Sequence, residues 1–556
     1  MTIHLKDITV ITPTWETLAA GHAAIDTLLD KGKRADALVL WEQSRREYAT
    51  WTALAQFRFR QDTTDETAKA MREQADILGP VATGYDDAIK RRLLADPDRT
   101  GLVAALTPHV VRLWEADITT FSPAIAARLE EENKLTAAYT KLAASARLEI
   151  EGHVLNLSSI APYEQNLDRN IRYRAAKTKW EFFEKNGAAF DDVFDRLVKL
   201  RTSMARDLGY ETFTPLGYQR MRRTDYDATD VARYRKEILD KVVPLLAALL
   251  ERRRQAHGWE TLQAWDEPLI DPLGNPAPLG DHDTLVAAGQ EMFDQMDKRL
   301  GDFFRMMNEG GFLDLKTRPS KGPGGFCEGF PSIGMPVIFA NFNGTHRDIG
   351  VFTHEMGHAM QFYESRELGH LDLLWPTSEA AEIHSMSLEM LTYPQMGLLV
   401  GDAAVERFQR MHLESFLTSL VRAALGDHFQ HEVYANPDAT SAERHAMYRR
   451  LERRYMPWRD YGDIGYAAVG GTWQTVLHYY LVPFYFIDYA LACCCALQFW
   501  VEAKRDPNAA LEKFFALCAK GGSAPFRELV KSAGLVSPFV PGALAAVVKQ
   551  AEAALS

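Results

Sequence analysis

The sequence predicts a mainly α-helical protein with one small β-sheet placed just before a metal-binding helix. Three observations carry that expectation. Helical periodicity dominates the 556 residues, and only residues 310–343 read as strand-rich. Directly after them comes His354-Glu355-Met356-Gly357-His358, a pentad whose spacing has chemical meaning on a helix.

Composition narrows the class. Hydrophobic residues make up 47% and charged residues 25%, ordinary values for a globular chain long enough to bury a large core. A net charge of −12 argues against a nucleic-acid partner, which calls for a basic face. Cys493, Cys494 and Cys495 are consecutive in an apolar run, and Cys327 and Cys518 stand alone. An odd count without a pairing pattern points to a reducing, cytoplasmic compartment. Residues 1–7 show no basic stretch leading into an apolar one, so no secretory signal is expected. Residues 479–497 approach the length of a membrane span, but they contain Pro483 and Asp488 and lack basic flanks. A buried helix is the expectation there, with no membrane partner.

Along the chain, polar-faced helical patterns cover 15–31, 34–56 and 65–78, followed by a long Ala/Leu/Glu/Lys-rich pattern at 122–145. Further helices are expected at 168–186, 190–208 and 230–257. Pro and Gly density makes 265–281 a loop, and 284–307 is helical again. Two short strands are expected at 324–330 and 335–342. They either offer an edge to an extended substrate or merely aim the next helix, and both readings stand. We divide the chain into an N-terminal helical region, 1–160, and a catalytic region, 161–556.

The pentad helix begins at Thr345, with Asp348 at the third position of an expected capping box. Ile349, Phe352, Met356, Met360 and Tyr363 form an apolar stripe, and His354 and His358 project from roughly the opposite side. Residues at i and i+4 can bind one metal ion, and Glu355 sits about 100° further round the helix, toward a water on that metal. Gly357 costs about 1 kcal/mol relative to alanine inside a helix, so a close approach by a neighbour is expected. A second helix with Ser378 as N-cap supplies the third ligand, Glu382, while Glu389 lies within about 20° of it and suits a role behind a histidine. Glu379 is the rival ligand, and His384 points elsewhere. Three protein ligands with an open position describe a catalytic zinc, which acidifies water and polarises a carbonyl. Glu355 is then the expected general base.

A tetrahedral oxyanion needs further donors. Tyr485 and Tyr489 are i and i+4, with Pro483 expected in the first turn of their helix and His478 on the segment before it. The competing reading of these tyrosines is aromatic core. Residues 465–472 read as a flexible glycine-rich loop.

The stretch from Phe339-Ala340-Asn341-Phe342 through the pentad and Ala359-Met360-Gln361 to Glu382 resembles the thimet oligopeptidase/oligoendopeptidase F family of zinc metallopeptidases. Pro-Phe-Tyr-Phe-Ile-Asp-Tyr at 483–489 resembles the shorter oligoendopeptidase F and Pz peptidase branch. The resemblance implies a helical ellipsoid enclosing a deep channel that admits oligopeptides. It also implies zinc on His354, His358 and Glu382, Glu355 as base, and transition-state donors that we carry to His478, Tyr485 and Tyr489. Tyrosine spacing differs within the family, which leaves Tyr479 and Tyr480 as substitutes. The alternatives are a zinc carboxypeptidase, which typically continues Ala-Leu/Met-Tyr-Glu-Gln after the pentad, and a peptide-binding protein without turnover. Oligomeric state is not readable.

Overall fold

The structure is a computed structural model describing residues 3–318, 320–322 and 324–556. It is mainly helical, 70% helix with small sheets. Its residues group into two compact units. The first holds 1–119, 278–402 and 499–535, and the second holds 120–277, 403–498 and 536–556.

In the first unit, helices Trp15–Asp30, Arg34–Gln61 and Glu66–Leu94 pack on one another around buried Trp41, Trp51, Leu54, Ile89 and Leu93. The third runs well past the expected end at residue 78. Pro80 lies inside it, and packing of Ala75 and Leu78 before that residue and Ile89 and Leu93 after it offsets the roughly 3 kcal/mol cost of a helical proline. Residues 284–307 form two helices, His282–Met296 and Lys298–Glu309. Asp297 is extended and accepts the Arg299 N–H, capping the second.

The two expected strands are present as Phe326–Phe330 and Met335–Phe342, paired antiparallel with Cys327 opposite Ile338 and Glu328 opposite Val337. Leu313–Lys316 adds a third strand, parallel to the other side of Met335–Phe342. Phe326–Phe330 is therefore an edge strand. It packs against helix Arg34–Gln61 and against the pentad helix, His346–Ser365.

Thr345 is the N-cap of the pentad helix, but its hydroxyl makes no cap bond. Asp348 instead accepts from the N–H groups of Asn343 and Gly344, fastening the strand-to-helix turn. Ile349, Phe352, Met356 and Met360 are buried as the stripe requires, and Tyr363 is half-buried. The second helix spans Ser378–Leu391, and its N-cap is Thr377 rather than Ser378, one residue earlier than expected.

In the second unit, the helices expected at 168–186 and 190–208 are one helix, Arg169–Asp207. Gly187 does not break it: an added Cβ would lie 2.4 Å from the Tyr466 hydroxyl, so the glycine admits a ring. The supposed flexible loop at 465–472 is folded into Gly465–Ala468 and a 3-10 turn from Gly471, with Tyr466 donating to Gln474 at 2.6 Å. Helix Asp488–Ala503 carries Cys493, Cys494 and Cys495, all fully buried. Residues 486–503 are apolar and long enough to cross a membrane, and 67% of that window is buried inside the protein. All five cysteines are free thiols.

The crossing of the two metal-site helices depends on Gly357. A Cβ there would meet the His384 carbonyl oxygen at 2.5 Å and the Ser385 Cα at 2.6 Å, both of them backbone. Alanine elsewhere in a helix would stabilise by about 1 kcal/mol. Gly357→Ala is expected to reverse that sign and destabilise by about 1–3 kcal/mol in urea titrations. Metal affinity should fall with it, because the helices must separate.

Candidate metal centre

Each site residue is positioned by its helix. His354 and His358 occupy successive turns of His346–Ser365, with ring centroids 5.0 Å apart and planes at 81°. Across the Gly357 contact, Glu382 turns one carboxylate oxygen to both: Oε2 is 3.2 Å from His354 Nε2 and 3.5 Å from His358 Nε2. The three donor atoms all lie within 4.8 Å of one another.

This set fits a divalent metal. Tetrahedral ligands at zinc distances stand about 3.3 Å apart, close to the two separations above. Two imidazole nitrogens and one carboxylate oxygen are also the donor types zinc prefers. Glu389 accepts from His354 Nδ1 at 2.8 Å, which assigns the proton to Nδ1 and leaves Nε2 as the donor toward the centre. Ser385 donates to Glu382 Oε2 at 2.9 Å and fixes that carboxylate. Trp375 flanks His358, ring centroids 6.4 Å apart.

The electrostatics reflect close packing of opposite charges. Burial disfavours a charged imidazole at His354, yet Glu382 and Glu389 outweigh it and hold its pKa well above normal. Burial alone would raise Glu382, but His358 and His354 hold it well below the usual carboxylate range. Glu355 is 7% exposed, and its pKa is raised by burial against the pull of His354 and His358. Its Oε1 would stand 3.8 Å from a Cβ placed at Gly325, so the segment before the edge strand passes close to it.

The rival ligand Glu379 is drawn away. It is buried and accepts the Thr377 hydroxyl at 3.0 Å, outside the His354–His358–Glu382 group. His384 is fully buried beside Phe514, and its pKa is pushed down to about 4 by burial and by His358. It is a packing residue.

The remaining candidates belong to the second unit, where the structure groups all three. The His478 ring stacks on Tyr485 at 5.4 Å and meets Tyr489 edge-on at 5.8 Å, and the two tyrosines are 5.3 Å apart. All three are half-buried. Tyr479 and Tyr480 are 1% and 0% exposed within aromatic packing around Phe429, Trp473 and Phe194, so core is their role. Pro483 does not begin the helix. Phe484 takes a left-handed turn at φ 68, Tyr485–Ile487 is 3-10, and the α-helix starts at Asp488. The turn is clamped by fully buried Arg223, which donates to the Phe484 carbonyl and to Asp488 Oδ1, each at 2.6 Å, while Gln430 accepts the Phe484 N–H.

Residues 291–548 match peptidase family M3, and residues 5–121 match the peptidase M3 N-terminal domain. Among solved structures, Pz peptidase A with an inhibitor is 39% identical, with a TM-score of 0.95 over 99% of this chain and 98% of the other. A candidate oligoendopeptidase F is 41% identical, with a TM-score of 0.95 over 100% and 98%. Another, from Bacillus anthracis, is 36% identical, with a TM-score of 0.90 over 100% and 98%. No curated protein matches significantly. Fold and donor set thus define a metallopeptidase, and the relatives make it an endopeptidase. The chain belongs to peptidase family M3.

Glu389 has a measurable share in the site. Glu389→Ala is expected to lower metal affinity about 10–100-fold in competition with a chromogenic chelator, because His354 loses its orienting acceptor.

Proposed function

We propose that this protein is a zinc endopeptidase that hydrolyses internal bonds of oligopeptides, with Glu355 as general base. The observation that carries the reading is the convergence of His354 Nε2, His358 Nε2 and Glu382 Oε2 beside buried Glu355, in a chain of this family. His354, His358 and Glu382 would hold one zinc ion. That ion supplies Lewis acidity, polarising the scissile carbonyl and making water acidic near neutral pH.

Glu355 takes a proton from the attacking water as the C–O bond forms, then passes it to the amide nitrogen as the C–N bond breaks. Burial, by raising its pKa, makes the carboxylate a stronger acceptor of that first proton. His478, Tyr485 and Tyr489 are assigned to steadying the oxyanion. Their mutual ring contacts, and the burial of Tyr479 and Tyr480, favour this choice of tyrosines. The free edge of Phe326–Phe330 is the proposed seat of the peptide backbone. Free thiols throughout agree with a cytoplasmic location.

Mass spectrometry of a quenched peptide digest tests the reading, with zinc quantified in wild type and Glu355→Gln. Internal fragments from wild type, a loss of about 10²-fold or more in the variant, and one zinc retained in each are expected. Single residues released from the C-terminus would indicate a carboxypeptidase. No cleavage by zinc-loaded wild type would indicate a binding protein.

A further inference from the structure

The three N-terminal helices of the first unit line an open cavity of about 430 Å³ that the mechanism above does not use. Aromatic rings form much of its wall. His22 stacks on Tyr85 with centroids 4.6 Å apart, and Trp41 and Tyr48 also line it. Gly21 faces it from inside helix Trp15–Asp30, and an added Cβ there would find no heavy atom within 4 Å. A helix-interior glycine costs about 1 kcal/mol against alanine. At Gly357 a neighbouring backbone accounts for that cost, whereas a Cβ at Gly21 would meet only the open cavity.

Glu328 joins this cavity to the edge strand. Alternate side chains of a strand point to opposite faces. A Cβ at Gly329 would meet the Phe362 ring of the pentad helix at 2.3 Å, so the face that Cys327 shares with Gly329 is the one toward that helix. Glu328 therefore points the other way, into the cavity. A peptide seated on the free edge of this strand has side chains that alternate in the same manner.

The charges on the wall are unequal. Arg45 lines the cavity but is already held by Asp372 at 2.8 Å, Asp86 at 3.4 Å and Glu42 at 3.5 Å. Glu328 accepts the Gly329 N–H and makes no ion pair among the described residues. Its nearest cationic influence, Arg60, lies over the Phe326 ring instead. Burial raises the Glu328 carboxyl above its usual range, against the pull of the Gly329 N–H and of Arg60. A half-buried carboxylate in a cleft lined by aromatic rings suits an ammonium or guanidinium group.

We propose that this cavity is a specificity pocket for a lysine or arginine side chain of a peptide seated on Phe326–Phe330, with Glu328 as its counter-charge. The proposal rests on the endopeptidase reading above.

The test is kcat/KM for peptides differing at a single position, scanned along the sequence as lysine, arginine, norleucine or glutamate. At one position the basic peptides should exceed norleucine by about tenfold or more. Glu328→Gln should bring that ratio to about one, and Glu328→Lys should turn the preference toward glutamate. Gly21→Leu, which fills the cavity without touching the charge, should reduce cleavage of the arginine peptide more than that of one bearing alanine. A basic preference absent at every position, or one that survives both Glu328 variants, would overturn the pocket while leaving the endopeptidase standing. Failure of zinc-loaded wild type to cut any peptide would overturn both.

Discussion

The metal centre depends on one backbone-to-backbone approach, Gly357 of the pentad helix against His384 and Ser385 of the next. Two histidines on a helix supply only one side of a metal site. The third donor must come from another chain segment at a separation set to tenths of an ångström, and side-chain packing alone seldom fixes helices so closely. Removing the Cβ at the crossing lets the main chains touch, and Glu382, Glu389 and Ser385 then arrive together as residues of one helix. The glycine's helical cost is the local conflict that the tertiary contact resolves.

That contact also concentrates charge in a dry place. Glu355, Glu382 and Glu389 are all at most 8% exposed, and His354 and His358 lie among them. Such burial costs several kcal/mol per ion unless the charges are matched. Imidazoles match them in part, as the displaced pKa values of His354 and Glu382 show. A divalent cation on the same atoms would complete the match. Two carboxylates in one small volume thereby stand in different settings: Glu382 is fixed by Ser385 and the histidines, and Glu355 has its pKa raised by burial.

Much of this was legible in the sequence, because the decisive spacings are local. The pentad, its apolar stripe and the need for a close neighbour at Gly357 follow from helical geometry, as does the placing of Glu382 and Glu389 on one face. Ser385, three residues after Glu382, was readable by the same rule and was missed. Other features rest on partners far along the chain. Arg223 reaches 265 residues to Asp488 and sets a left-handed turn at Phe484 where a helix start was expected at Pro483. The expected gap between residues 186 and 190 is helical, with Tyr466 packed over Gly187. The choice among tyrosines was likewise tertiary: Tyr479 and Tyr480 are packed into core that no local pattern distinguishes from a site.

X-ray absorption at the zinc edge, on protein reloaded with one equivalent of zinc, reads the donor set directly. Two imidazole nitrogens with oxygen ligands, all near 2.0–2.1 Å, are expected, and Glu382→Ala should lower the oxygen count while both imidazoles remain. A sulfur shell near 2.3 Å, or spectra unchanged in Glu382→Ala, would contradict a centre built on His354, His358 and Glu382.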